Sequence, residues 1–397
     1  MKRFYFDYAA TTPTRPEVIK VMKSFWKKYF GNPSSLYYEG RLAKTALTNA
    51  RKKIAKIINV SPEEIIFTNG GSESVNLAIL GSVNFYKNQF RRPEIIVSQI
   101  EHPAVLETAK YLEKNGVGVI SLNVNKNGII KLNELKKKIN QNTLLISIMY
   151  ANNEIGTIQP IQKIARIIKY FRQKNKTIFP LFHTDACQAA GYLDIKPKKL
   201  GVDLMSLNGS KIYGPKATGL LYKRKDLELT PIIFGGGQEM DYRSGTENVP
   251  GIIGFTKALE LSQNERNKEV PRLKKLQKYL IANLLKRIPK IIINGDLKNR
   301  LPNNINISIL DIEGEALLLK LDELGIAIST GSACHSQSLK PSHVLEAIGL
   351  PHEFIHGSLR ITLGKYTTKK EVDYLIQSLE QVVQSLRELS PLSLKEK

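Results

Sequence analysis

Cys334, Lys211 and Asp185 stand in settings that favour chemistry. Cys334 lies in Ser329-Thr330-Gly331-Ser332-Ala333-Cys334-His335-Ser336. Gly, Ser and His are poor core material, so the thiol is expected in an accessible loop. There its thiolate is a strong nucleophile, and His335 could raise its reactivity; a buried structural cysteine is the alternative. Lys211 lies in Asn208-Gly209-Ser210-Lys211-Ile212-Tyr213-Gly214-Pro215-Lys216. This segment begins like a nucleotide-binding P-loop, but Pro215 stands where that loop needs its lysine. What remains is a lysine in a Gly/Pro-pinned loop, able to form a Schiff base with a carbonyl cofactor or simply to be solvated.

Asp185, in His183-Thr184-Asp185-Ala186-Cys187-Gln188, follows an apolar run. A carboxylate at the end of a buried strand calls for a cation such as a pyridinium nitrogen, or else caps a following helix. Thr68-Asn69-Gly70-Gly71-Ser72-Glu73-Ser74 has the composition of a phosphate cradle at a helix amino end, and equally of a Gly-rich turn with Ser72 or Ser74 as N-cap. His352 and His356 share a helical spacing, but Pro351 and Gly357 bracket them and no third ligand stands out, so metal catalysis is not expected.

These side chains need a scaffold. Ile65-Ile66-Phe67, Ile95-Ile96-Val97, Leu144–Ile148 and Ile178–Phe182 read as buried strands, with helical stretches such as Val75–Tyr86 and Ala104–Asn115 between them. The alternation predicts an α/β protein with a mostly parallel sheet flanked by helices, whose ligands sit at the strands' carboxyl ends. After about residue 255 the pattern changes. A basic helix through Leu273–Arg287, stopping before Pro289, is followed by a strand (Ile305–Leu310), a helix (Glu313–Leu324), a strand (Ile326–Ser329) and a terminal helix (Lys369–Leu386). The expected division is a large domain of residues 15–255 and a smaller α+β domain of residues 1–14 and 256–397 carrying the cysteine loop.

The 397 residues hold 59 Lys+Arg against 36 Asp+Glu, a net charge of +23. The lysines are spread in short groups, without zinc-finger spacing or an aromatic RNA-binding signature, so a lysine-rich surface is expected rather than a nucleic-acid site. Two cysteines make no disulfide framework, and no stretch reads as a signal peptide or membrane span, so a cytoplasmic enzyme is expected.

Taken in order, the motifs resemble the cysteine desulfurases of the nitrogen-fixation and iron–sulfur-assembly type, within the class V aminotransferases. The likeness runs from Phe6-Asp7-Tyr8-Ala9-Ala10-Thr11-Thr12-Pro13 through Gly31–Ser35, Glu101-His102, Asn152–Gly156, Lys211–Lys216 and Arg243–Thr246 to Arg360–Gly364. The resemblance implies pyridoxal-phosphate fold type I, with the cofactor held on Lys211. It also implies that Asp185 pairs with the pyridine nitrogen, Gln188 approaches the ring hydroxyl, and His102 stacks on the ring and shuttles protons. Gly71 and Ser72 would meet the phosphate, joined by Thr246 across a homodimer interface. Asn208 and Ser210 stand where the family carries its phosphate-binding Ser and His, and so would contact the cofactor; both can still donate hydrogen bonds, but neither adds positive charge. Tyr37 replaces a usual His, and Ser72 a common Thr. Asn153 and Arg360 would bind the substrate, Arg360 through its carboxylate.

Cys334 would accept sulfur from L-cysteine as a persulfide, releasing alanine. It would pass the sulfur to an acceptor or scaffold protein; the resemblance implies no resident metal, Cys334 touching a nascent iron–sulfur cluster only in transit. A selenocysteine lyase or an aminotransferase of the same fold is the near alternative. A basic nucleic-acid-binding protein with a degenerate enzyme fold is the distant one.

Overall fold

The computed structural model describes residues 2–331 and 341–389. The Cys334 loop, from Ser332 onward through His335 and Ser336, therefore lies outside the described residues. Runs of Ile, Leu and Val pair into a seven-stranded sheet. Its strands are β1 (Ile65–Thr68), β2 (Glu94–Ser98), β3 (Gly118–Leu122), β4 (Thr143–Ser147), β5 (Leu181–Asp185), β6 (Leu204–Asn208) and β7 (Gly219–Lys223). In space they run β1-β7-β6-β5-β4-β2-β3, and β7 is antiparallel to both its neighbours while the others are parallel. Ile95, Ile96 and Val97 are all buried although they alternate faces, because helices cover both sides of the sheet.

The strand expected at Ile178–Phe182 starts only at Leu181 and ends at Asp185. Pro180 has no N–H for a ladder, and Ile178 is exposed. Two helices begin at strand ends: α1 (Gly71–Tyr86) and α2 (Pro103–Lys114). A third, α3 (Val249–Arg287), stops before Pro289 as expected but reaches back to Val249, straight through Pro271. The expected boundary at 255/256 falls within this helix.

A second sheet is antiparallel, with β9 (Asn304–Ile309) between β10 (Ser358–Thr362) and β8 (Ile291–Ile293). It packs with α4 (Gly314–Glu323), α5 (Lys369–Leu389) and the carboxyl half of α3 around a separate apolar cluster that includes Leu280, Leu317, Leu359 and Leu375. The strand expected at Ile326–Ser329 is reduced to Ile326–Ala327, which pairs in parallel with Phe4–Tyr5. The start of the chain then wedges between the two: Phe6 N–H donates to the Ala327 carbonyl (2.8 Å), and the Phe6 carbonyl accepts from Thr362 N–H (2.7 Å).

Candidate active site

The carboxyl ends of five of the large sheet's strands open onto one cavity of about 200 Å³, where a parallel α/β sheet is expected to bind its ligand. Gly71 and Ser72 follow β1, His102 follows β2 and Asn153 follows β4. Asp185 ends β5 with Gln188 beyond it, Asn208 ends β6 with Lys211 beyond it, and Arg360 enters from β10; all nine line the cavity. Ser210 does not line it, and Thr246 lies in a neighbouring cleft with Thr68, Asn69 and Arg243.

Lys211 sits on a tightly tied turn. The Asn208 side-chain oxygen accepts from the Ser210 N–H and the Ser210 hydroxyl, both at 3.0 Å. Gly209 leaves no room for a side chain, since an added Cβ would lie 2.4 Å from Thr218 Oγ1. The Thr12 hydroxyl donates to the Ser210 carbonyl (2.9 Å) and accepts from Tyr213 N–H (2.7 Å). Lys211 Nζ donates to the Ala10 carbonyl at 2.5 Å, and Gln188 Nε2 donates to the Ala9 carbonyl at 3.0 Å. Lys211 is thus a half-buried, anchored amine rather than a solvated one.

At the opposite wall, the amino end of α1 is left open. Its N-cap is Gly70, at φ 102°, with no capping side chain. Ser74 spends its hydroxyl on Ser206 (2.7 Å) and the Leu220 carbonyl (2.8 Å), so neither serine caps the helix. A Cβ on Gly71 would stand 2.8 Å from Cys187 Sγ and 3.3 Å from Asn208 Nδ2. Glycine there keeps the cradle open, and the free N–H groups of the first turn favour an anion.

Asp185 is buried, and its Oδ1 accepts from Cys187 N–H at 2.9 Å, closing a turn instead of starting a helix. Cys187 is buried beside it, and burial pushes its thiol well above the ordinary range, which keeps it inert. His102 is the N-cap of α2, its Nδ1 accepting from Ala104 N–H at 3.1 Å. Burial holds the imidazole below its ordinary pKa, so the ring is neutral near neutral pH and carries its proton on Nε2.

Arg360 is 2% exposed. It donates from Nη2 to Asp7 Oδ1 at 2.7 Å and from Nη1 to the Asn153 carbonyl at 3.3 Å, while its buried Nε has no partner among the described residues. His352 and His356 lie on a five-residue helix, and no cluster able to hold a metal occurs among the described residues.

Two supporting groups escaped the sequence reading. Glu101, fully buried, accepts from Met149 N–H at both oxygens (2.9 and 3.0 Å) and from the Ser98 hydroxyl, which ties β2 to β4 next to His102. Burial raises its carboxyl to about 8. Asp7 is the other. Each belonged to a motif noted in the sequence, but local pattern carries no sign of a partner such as Met149, 48 residues from Glu101, or Arg360, 353 from Asp7.

The aminotransferase class-V family model matches residues 4–375. The chain is 50% identical over 392 residues to cysteine desulfurase IscS of Dictyoglomus turgidum, covering 98% of this chain and 97% of that one. Its fold is similar to that of a NifS-like protein, with a TM-score of 0.90 and 38% identity over 97% of this chain and 100% of the other. It is also similar to a structure of SspA in complex with cysteine, with a TM-score of 0.78 and 36% identity over 92% of this chain and 100% of that chain.

Proposed function

The chain belongs to the class-V aminotransferase family, and we propose from its cavity how the residues divide the work of a cysteine desulfurase. The enzyme is pyridoxal-phosphate-dependent and converts L-cysteine to L-alanine, taking the sulfur as a persulfide. The observation that carries the assignment of roles is the convergence of Lys211, Asp185 and the open amino end of α1 on one cavity.

That donor set fits pyridoxal phosphate. The first turn of α1 at Gly71 and Ser72, with Asn208 Nδ2 beside it, suits a phosphate. Buried Asp185 suits a protonated ring nitrogen, and Lys211 supplies the amine for covalent attachment. When bound, the cofactor acts as a sink for electrons from the substrate's α-carbon.

Lys211 is the base that takes the α-proton, held in place by its tied turn. Arg360 fixes the substrate carboxylate, and Asn153 shapes that end of the site. His102 delivers or receives a proton at Nε2, because Nδ1 is engaged with Ala104. The Cys334 thiolate attacks the substrate sulfur: an S–S bond forms, the C–S bond breaks, and its electron pair stays with the carbon that becomes alanine's methyl after protonation.

The test is stoichiometry. Purified protein supplied with pyridoxal phosphate and L-cysteine should yield one alanine per persulfide sulfur. Amino transfer to a 2-oxo acid, or alanine without persulfide, would overturn the reading.

His102 makes the pH dependence specific. Its folded pKa is lowered, so activity should hold as pH falls through an ordinary imidazole's range and drop only below it, when Nδ1 takes a proton and breaks the Ala104 bond. His102→Gln should lower turnover by roughly 10²-fold and abolish that acid limb. An acid limb unchanged in the variant would assign it to another group.

Cys187 is expected to take no part. Its Sγ lies 3.8 Å from the Ser206 carbonyl, which a serine hydroxyl could also meet. Cys187→Ser should keep turnover within about 3-fold of wild type, since a buried, protonated thiol is a poor nucleophile. A loss like that of a catalytic residue would refute this.

A homodimer in which Thr246 completes the partner's phosphate site is supported by its place in a separate cleft with Thr68 and Asn69, outside this chain's own cavity; a fully active monomer by sedimentation would contradict it. The division into residues 15–255 and residues 1–14 with 256–397 is supported by the separate apolar cluster around the small sheet. Limited proteolysis that cut first within either unit would count against it. No helix among the described residues is long and apolar enough to cross a membrane. A cytoplasmic site and transfer of the persulfide sulfur to an acceptor protein complete the proposal, to be tested by fractionation and by sulfur transfer to candidate acceptors.

A further inference from the structure

We propose that Asp7 is a positioning residue for Arg360: it turns the guanidinium so that its Nε–Nη2 edge faces the substrate's α-carboxylate, and so sets the preference for α-amino acids over simple aminothiols. The inference rests on Arg360 being the carboxylate-binding residue of the desulfurase.

A guanidinium can meet a carboxylate with two parallel N–H groups along either its Nη1–Nη2 end or its Nε–Nη2 side. The end is committed here. Nη2 donates to Asp7 Oδ1 at 2.7 Å, and Nη1 donates to the Asn153 carbonyl at 3.3 Å. Nε is buried without a partner among the described residues, and Nη2 carries a second N–H beside it. A buried donor left unpaired is costly, and an arriving carboxylate would satisfy it. The side edge is therefore the one kept for a ligand.

Asp7 is well placed to enforce this. Its neighbour Phe6 is bonded by its N–H to the Ala327 carbonyl (2.8 Å) and by its carbonyl to Thr362 N–H (2.7 Å). Thr362 ends β10, the strand that carries Arg360, so the two members of the pair share one backbone frame. Their side chains are 14% and 2% exposed, so solvent screens the pair little. The opposite role is also chemically conceivable: Asp7 could compete with the substrate for Arg360, and its removal would then tighten binding.

The experiment compares wild type, Asp7→Ala and Asp7→Asn as holoenzymes. It measures the KM and kcat for L-cysteine, the binding of L-alanine by calorimetry, and inhibition by cysteamine, which is cysteine without its carboxylate. Asp7→Ala should raise the KM for L-cysteine and weaken L-alanine binding by roughly 10-fold, with kcat and the cysteamine inhibition constant within about 3-fold of wild type. Asp7→Asn keeps an oxygen acceptor without the charge and should fall between the two, rescuing part of the affinity; it also carries the test if the alanine variant does not fold. L-alanine binding that is unchanged or tighter in the variant that folds would overturn the proposal, as would equal losses for L-alanine and cysteamine. A wild type that itself binds L-cysteine no better than cysteamine would remove Arg360's role, and this inference with it.

Discussion

Cys334→Ser should stop formation of both persulfide and alanine, by at least about 10³-fold, while leaving the cofactor bound. A thiol at this position is needed only if sulfur is to be taken from the substrate. A serine hydroxyl stays protonated near neutral pH and is a weak nucleophile without an activating base. In the proposed mechanism the steps before sulfur transfer belong to Lys211, Asp185 and Arg360, none of which the change touches. L-Cysteine added to the variant should therefore still perturb the cofactor's absorbance and still exchange its α-proton with deuterated solvent. Absence of persulfide with retained α-proton exchange places the block at the sulfur. Wild-type alanine release would instead make the enzyme a lyase or aminotransferase of the same fold.

Lys211→Ala should be at least as damaging and should fail earlier. It removes both the amine for covalent attachment and the base for the α-proton, so turnover should fall by at least about 10³-fold and α-proton exchange should cease. Borohydride reduction followed by denaturation should leave pyridoxal phosphate attached to the wild type and none to the variant. The cavity should otherwise persist, because the turn is held by Asn208, Ser210, Gly209 and Thr12 rather than by the lysine side chain. The variant should therefore still take up cofactor non-covalently, with its phosphate at the amino end of α1. Full activity, or covalent cofactor at another lysine, would unseat Lys211.

These two expectations divide the reaction between a segment whose geometry is described and one that is known by its chemistry alone. In the proposed division Lys211 acts on carbon, from a turn clamped by the beginning of the chain through Thr12 and Ala10, and Cys334 acts on sulfur. Inert, buried Cys187 shows why one of the two thiols is suited to this work: burial raises its pKa, and it lies among groups that shape the phosphate cradle.

Much of this was legible in the linear sequence. Side-chain chemistry is local, so a lysine between glycines, an aspartate closing an apolar run and a cysteine among small polar residues stand out as candidates without a fold. Apolar periodicity is local too, and it located the strands at 65, 95 and 144 and the helices after the first two to within a few residues. Local rules failed where packing or backbone chemistry outweighed them. Pro180 delays the start of β5 to Leu181, and α3 runs through Pro271 because tertiary contacts hold the helix on both sides of it. Only the tertiary structure decided which groups face one another. Gly71 must be glycine because Cys187 and Asn208 crowd it, Glu101 is buried because it bridges β2 and β4, and Asp7 meets Arg360 across 353 positions of chain. Such pairings depend on how the wedge at the chain's start and the two sheets come together, and no short stretch of sequence contains both partners.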